Sequence, residues 1–166
     1  MFMGRIPRGT ILAVVSLLAL ERLAYADEWV KFNAPDKRTA SLIEKLFRAE
    51  FTRPSSEYEL APELADEAKA SWVKLSAKEE PSLFVMLGGK YCGSGGCPIF
   101  GFGETERGWS KIYFQFGGEG VELLSTSTNG RRDIRQYEGM GAAESLEIIS
   151  RWNKAAYVPA VTRQIR

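Results

Sequence analysis

Two cysteines, Cys92 and Cys97, are the residues of this sequence best suited to specific chemistry. A C-x4-C pair can form a disulfide or contribute to a metal site, which would need further sulfur or imidazole ligands. The chain has no other cysteine and no histidine. We therefore expect no metal site and predict a disulfide that closes a glycine-rich β-hairpin. The enclosed residues are Gly93, Ser94, Gly95 and Gly96.

Catalytic patterns are weak elsewhere in the sequence. Without histidine there is no Ser-His-Asp triad, and a disulfide leaves no thiolate nucleophile. Ser71 and Lys74 match S-x-x-K, but the K-T-G element of penicillin-binding enzymes is missing. The carboxylates that could hydrolyse a glycosidic bond lie in predicted turns; they are Glu79, Glu80, Glu104 and Glu106. We expect a non-enzymatic protein without a cofactor, with a carboxylate-based glycan hydrolase as a minor alternative.

Two turns are candidate binding elements. Small residues at 93–96 can turn their N–H groups inward to bind an anion, and a rigid tip loses little entropy when it binds a partner. The second turn, Asn129-Gly130, precedes two arginines that can bind a carboxylate or phosphate. The alternatives are a structural staple and a solvated Arg–Asp pair. The predicted partner-binding residues are Gly93, Ser94, Gly95, Gly96, Asn129, Arg131 and Arg132.

The N-terminus has the pattern of a signal peptide. Arg5 and Arg8 precede an apolar run over residues 11–20, which is too short to cross a bilayer. Ala24-Tyr25-Ala26 is a small-x-small cleavage site, so we predict cleavage after Ala26. The predicted organisation is a signal peptide over residues 1–26 and a single domain over 27–166. We expect a periplasmic or secreted protein with no stable membrane insertion after cleavage, and an oxidising compartment favours the disulfide.

The overall charge argues against a polyanionic partner. The 166 residues include 22 basic and 21 acidic side chains. Without residues 1–26 the net charge is about −1, which provides no long-range field to attract nucleic acid or anionic lipid. We therefore expect a protein partner and no nucleic-acid binding.

The distribution of glycine along the chain indicates which secondary-structure elements would position these residues. After residue 9, no glycine occurs before Gly88, so the first half is predicted to be helical and the second rich in turns. A helix is predicted to open at Pro35-Asp36, and a shorter one covers residues 63–70. The apolar residues of the first recur at helical spacing; they are Ile43, Leu46, Phe47 and Phe51.

A short first strand or an anchoring tail is predicted at residues 29–32, and further strands are predicted from residue 71 onward. The apolar run at 83–87 fits a strand buried on both faces, residues 111–116 alternate with a period of two, and Asn129-Gly130 favours a hairpin. Residues 139–141 are predicted to break the chain, 146–152 to form the last long strand and 163–166 to fray. Core and sheet-face positions are expected for the four tryptophans, with sugar-stacking platforms as the alternative. The predicted fold class is α+β, with the N-terminal helix packed on an antiparallel meander sheet of about six strands.

Four segments resemble a set of small exported bacterial proteins of unassigned function. They are YCGSGGCPIFGF (91–102), GW (108–109), LSTSTNGRRDI (124–134) and RWNKAAY (151–157). In that family a Cys-Gly-x-Gly-Gly-Cys hairpin precedes an Asn-Gly-x-x-Asp turn and a closing Trp-x-Gly-x-x-Tyr-like strand. Lys154 or Ala155 stands here where glycine is usual. The resemblance implies an exported location and a fold, and no reaction.

The C-x4-C loop is also similar to that of the periplasmic inhibitors of vertebrate lysozyme, which use it to block a hydrolase cleft. The histidine of those inhibitors is absent here. The predicted function is an exported, non-enzymatic envelope protein that binds an envelope or secreted protein, such as a lysozyme-like cell-wall hydrolase that it would inhibit. The alternative is a structural accessory subunit of an envelope assembly. The sequence leaves the oligomeric state open.

Overall fold

The computed structural model describes residues 25–51, 64–106, 108–117, 120–141 and 144–165. Residues 1–24 of the predicted signal peptide lie outside this described part. So do residue 63 of the predicted second helix and Arg166 of the predicted frayed end.

Nine β-strands lie within the described ranges and form two antiparallel sheets. The strands are β1 (Glu28–Trp29), β2 (Ala68–Val73), β3 (Ser82–Leu87), β4 (Cys97–Thr105), β5 (Gly108–Gly117), β6 (Val121–Thr128), β7 (Arg131–Gly141), β8 (Glu144–Trp152) and β9 (Tyr157–Ile165). The five-stranded sheet has the order β1-β6-β7-β8-β9, and the four-stranded sheet has the order β2-β3-β4-β5.

Two helices precede β2 in the described chain, α1 (Lys37–Phe51) and α2 (Leu64–Glu67). The Asp36 carboxylate accepts a 2.7 Å hydrogen bond from the N–H of Thr39, which is N-cap geometry. This bond lowers the pKa of Asp36. The predicted helix start at Pro35-Asp36 is therefore confirmed. Neither helix combines the length and the apolar character needed to span a membrane.

The four-stranded sheet lies between α1 and the five-stranded sheet. Phe47 of α1 packs edge-on against Phe100 and Phe102, with ring centroids 4.8 and 5.4 Å apart. On β3, Leu83 and Val85 belong to the core on the helix side, whereas Phe84 belongs to the core between the sheets. Burial on both faces explains the continuous apolar run of β3 and confirms that prediction.

The predicted α+β class, with a helix on one meander sheet of about six strands, is wrong, because most of the described residues lie in two antiparallel β-sheets. The strands that follow β5 join a second sheet, and β1 from the N-terminus pairs with β6 of that sheet. Alternating apolar residues locate a strand but do not identify its neighbours, because backbone pairing is made with residues distant in sequence. The helix therefore covers only one face of one sheet.

Three local predictions also differ from the structure. Residues 68–70 belong to β2 and not to the second helix. Residues 139–141 lie within β7, where a register shift against β8 accommodates them. Residues 163–165 belong to β9, which is paired with β8. Most β9 side chains are exposed, so this strand has no apolar alternation. Its usable indication was β-branched content, namely Val158, Val161, Thr162 and Ile165.

A β-bulge interrupts the predicted alternation of residues 111–116. Gly101 pairs with Tyr113 and Phe102 with Lys111, which leaves Ile112 as an extra residue. As a result, Ile112 and Tyr113 both belong to the core between the sheets. Gly101 provides the space, because a Cβ added there would lie 2.8 Å from the Cβ of Tyr113.

Candidate binding groove between β1 and β2

The disulfide tip packs on the five-stranded sheet. The predicted bond between Cys92 and Cys97 is present. Gly93 and Gly96 exchange backbone hydrogen bonds of 2.9 and 3.1 Å, so their N–H groups are not directed at an anion. A Cβ added at Gly95 would lie 3.2 Å from the carboxylate of Glu138 on β7. The neighbouring carboxylate disfavours an anion at the tip.

The side chain of Arg132 is buried and holds the N-terminal segment. Only 3% of the residue is exposed. Its guanidinium donates to the carbonyl oxygens of Leu124 at 2.9 Å, Leu123 at 2.8 Å and Ala26 at 2.6 Å. The ring of Tyr25 lies 4.8 Å away. Arg132 thus ties residues 25–26 to β6.

The neighbouring residues of the turn are also engaged within the protein. The guanidinium of Arg131 lies 3.8 Å from the ring centre of Trp152 and 2.6 Å from the carboxylate of Glu79. The Asn129 amide donates a 2.7 Å hydrogen bond to the carbonyl of Trp152. The side chains of Asn129, Arg131 and Arg132 therefore form contacts within the protein that stabilise the fold. It also lies at the opposite end of β7 from the disulfide tip, so the two predicted binding elements are far apart.

A cavity of about 370 Å³ lies between β1 and β2. The chain leaves β1 and reaches the edge of β2 at Asn33, which exchanges backbone hydrogen bonds of 3.0 and 2.7 Å with Ala70. Before Asn33 the N–H of Val30 bonds instead to Val121 of the other sheet, at 2.9 Å. The edges of β1 and β2 therefore separate on the side of Val30, and we call the cavity between them the β1–β2 groove.

The same tripeptide lines both walls of the groove. Trp-Val-Lys occurs at residues 29–31 and again at residues 72–74, and all six residues line the cavity. Asn33 and Ala70 form an antiparallel bridge. Extending the antiparallel register from this bridge places the two copies opposite each other in reverse order. Trp29 then lies opposite Lys74, and Trp72 lies opposite Lys31. Sequence reasoning did not connect the two copies, although the repeated tripeptide was an available indication.

The two tryptophans form half-exposed aromatic walls. Trp29 and Trp72 are 43% and 49% exposed. Trp29 stacks on Tyr137 with ring centroids 6.2 Å apart, and Trp72 contacts Trp109 edge-on at 5.9 Å. A second aromatic ring therefore restricts each indole while much of its surface stays accessible. The sequence-based expectation of sheet-face positions is correct for both, but neither is a core residue.

Basic groups predominate around the groove. Lys31 and Lys74 are exposed, and Arg132 also lines the cavity. The ion pairs formed between described residues include neither lysine. The acidic lining residue is Glu28, whose side chain is 69% exposed and lies 3.4 Å from the Arg132 guanidinium. The local charge is therefore positive.

The walls also offer backbone hydrogen-bonding groups. Because Ala70 directs its N–H and C=O toward Asn33, the same groups of Trp72, two residues on, face the same open side of β2. On the other wall the N–H of Val30 points to β6, so Trp29 and Lys31 direct theirs away from that strand. The groove thus lies between two open strand edges.

The Ser71–Lys74 pair considered for catalysis is not assembled into a site. Ser71 lies on β2 and Lys74 just beyond it, and residues three apart in an extended chain point to opposite faces. Glu79 is paired with Arg131. In the described ranges no three His, Cys, Asp or Glu side chains come together as metal ligands.

Comparisons of this chain with protein-family models, with curated proteins and with solved structures found no match. The geometry of the β1–β2 groove is therefore the basis for assigning a function.

Proposed function

We propose that this protein is an exported, non-enzymatic binding domain that holds an extended segment of an envelope or secreted protein in the β1–β2 groove. The observation that carries the proposal is the antiparallel placement of the two Trp-Val-Lys copies on the walls of one cavity. Half-exposed tryptophans are typical of binding surfaces, and open strand edges can pair with an added peptide strand.

Export is supported by two observations. The sequence begins with a signal-peptide pattern, and an intramolecular disulfide is compatible with an oxidising compartment. Cleavage after Ala26 would remove Tyr25 from the lining of the groove and the carbonyl acceptor of Ala26 from Arg132. Sequencing the N-terminus of exported protein tests this step: Asp27 is expected, and a retained Met1 or Met3 would contradict it.

The groove accounts for partner binding better than the other candidate surfaces do. The disulfide tip rests on β7, and Arg131 and Arg132 are buried. The accessory-subunit alternative would need an exposed apolar face on α1, whose Ile43 and Phe47 are fully buried. The groove instead combines accessible aromatic surface with open backbone groups.

Site-specific photocrosslinking in the native host tests the proposal. A photoreactive amino acid placed at Trp72 is expected to crosslink an exported protein. The same group at Val158 on β9, which is 41% exposed, is the control and should not crosslink it. Mass spectrometry of the adduct identifies the partner. Assays of cell-wall hydrolases with and without this protein show whether the partner is a hydrolase that it inhibits. Equal crosslinking from both positions would place the interaction outside the groove.

A further inference from the structure

We propose that the β1–β2 groove selects an acidic extended peptide in which two acidic residues flank one apolar residue. This inference rests on the proposed function and specifies the chemistry of the bound segment. It follows from the order of groups along the two walls: each presents tryptophan, valine and lysine, and the two run in opposite directions.

The valines set the apolar position. Val73 is 4% exposed and belongs to the core between the sheets, and Val30 packs against that core. Side chains alternate along an extended chain. Trp29 and Lys31 therefore point to the face opposite Val30, and Trp72 and Lys74 to the face opposite Val73. The groove has an apolar floor at its centre, and a tryptophan and a lysine from opposite walls at each end.

A peptide strand in the groove meets these groups with the same period of two. Its central apolar side chain faces the valine floor, and the residues before and after it point to the opposite side. There, carboxylates at both positions lie near Lys31 and Lys74. A peptide with the order acidic–apolar–acidic therefore places its apolar side chain over the valines and its two carboxylates near the lysines.

Charge distribution favours acidic over basic segments. Lys31 and Lys74 have no ion-pair partner among the described residues, and the guanidinium of Arg132 adds positive charge at the cavity. The carboxylate of Glu28 offsets only one of these three positive charges, so the lining keeps a net positive charge. An acidic segment gains attraction at both ends of the groove, whereas a basic segment is repelled.

A peptide fits better than an acidic glycan because both walls offer backbone groups. The N–H and C=O of Trp72 face the open side of β2 and can continue the antiparallel ladder that Asn33 begins. A glycan would use the tryptophan rings but would leave this regular row of donors and acceptors without matching groups.

Calorimetric titration tests the inference with three probes: a capped peptide containing Glu-Val-Glu-Val-Glu, the corresponding Lys-Val-Lys-Val-Lys peptide, and polygalacturonate. The protein is the exported form and carries its disulfide. We expect binding of the acidic peptide only, and weaker binding as the salt concentration rises. Binding of the basic peptide with equal affinity, or of polygalacturonate in place of the acidic peptide, would overturn the inference.

Charge variants locate the binding. Lys31→Glu combined with Lys74→Glu should weaken binding of the acidic peptide by about tenfold or more, because two attractive pairs become repulsive. Glu28→Gln removes the opposing negative charge and should strengthen binding by about twofold to fivefold. Lys45→Glu, at an exposed position on α1, is the matched control and should leave the affinity unchanged. Circular dichroism checks that each variant is folded.

The two proposals fail in distinguishable ways. If Trp72 crosslinks a partner but the double lysine variant binds the acidic peptide as wild type does, the acidic selectivity is wrong and the binding function stands. If crosslinking from Trp72 and from Val158 is equal, the groove is not the binding surface and the proposed function itself fails.

Discussion

The Tyr113 hydroxyl donates a hydrogen bond to the side-chain oxygen of Gln136 across the interface between the two sheets. Tyr113 lies on β5 and is 2% exposed, and Gln136 lies on β7 and is fully buried. The amide nitrogen of Gln136 donates in turn to the carbonyl of Phe116 at 2.8 Å. Buried polar groups need such partners, so this network fixes the relative placement of the sheets.

Replacing Tyr113 with phenylalanine should destabilise the protein. The substitution leaves the Gln136 oxygen buried without its donor, and we expect the free energy of unfolding to fall by about 1–3 kcal/mol. Urea denaturation measures this change. Tyr137→Phe is the control, because Tyr137 is partly exposed and stacks on Trp29 through its ring. Equal losses of unfolding free energy in the two variants would show that the hydrogen bond between the sheets does not contribute measurably to stability.

Replacing Gly101 with alanine should also be costly. The new Cβ would lie 2.8 Å from Tyr113 Cβ and 2.9 Å from Phe84 Cζ, in the core between the sheets. Overpacking of this kind costs about 1–3 kcal/mol, and thermal unfolding should show a lower midpoint. Gly93→Ala is matched to it, because an added Cβ there meets no atom within 4 Å. A midpoint unchanged in both variants would mean that the core adjusts around residue 101.

Alkaline pH should unfold the protein through its buried tyrosines. Burial raises the pKa of Tyr113 and, against the opposing effect of Arg131, the pKa of Tyr157. Both phenols stay neutral in the folded state, whereas unfolded tyrosines ionise near pH 10. Their contribution to stability is complete below about pH 10 and is lost as the pH rises further. Phenolate absorbance and circular dichroism, followed together, should show these two groups ionising only as the fold is lost. Full ionisation with an unchanged dichroism spectrum would contradict this.

Removing the disulfide should affect the tip without abolishing binding in the groove. Cys92→Ser combined with Cys97→Ser frees a short loop, so the loss of stability should be below the roughly 3 kcal/mol estimated for a 15-residue loop. Hydrogen exchange should rise around Gly139, whose backbone lies against the carbonyl of Ser94. Crosslinking from Trp72 should persist. Its loss in a folded variant would show that the tip contributes to the binding site.

Local features of the fold were predictable because their causes lie within a few residues. The start of α1 depends on the Asp36 cap, and the hairpin depends on Asn129 and Gly130, whose φ angles are 51° and 86°. The disulfide follows from two closely spaced cysteines in a chain without other metal-binding sulfur or imidazole. Each feature can be inferred without knowing which strands become neighbours.

The candidate site was less predictable because it depends on where distant segments meet. Arg132 follows a hairpin turn, which usually indicates exposure, yet carbonyl groups of β6 and of Ala26 surround its guanidinium. In the sequence, Trp29 and Trp72 have the pattern of ordinary sheet residues. Only the bridge from Asn33 to the edge of β2 places them on opposite walls of one groove.

The sequence by itself determined the helix start, the position of the main hairpin and the strand buried on both faces, since turn conformation and side-chain periodicity are short-range properties. Only the tertiary structure decided that the strands divide into two sheets and that the two Trp-Val-Lys copies line one groove. The physical reason is that strand edges acquire their partners through backbone hydrogen bonds between residues far apart in the chain, and neither local propensity nor periodicity encodes those partners.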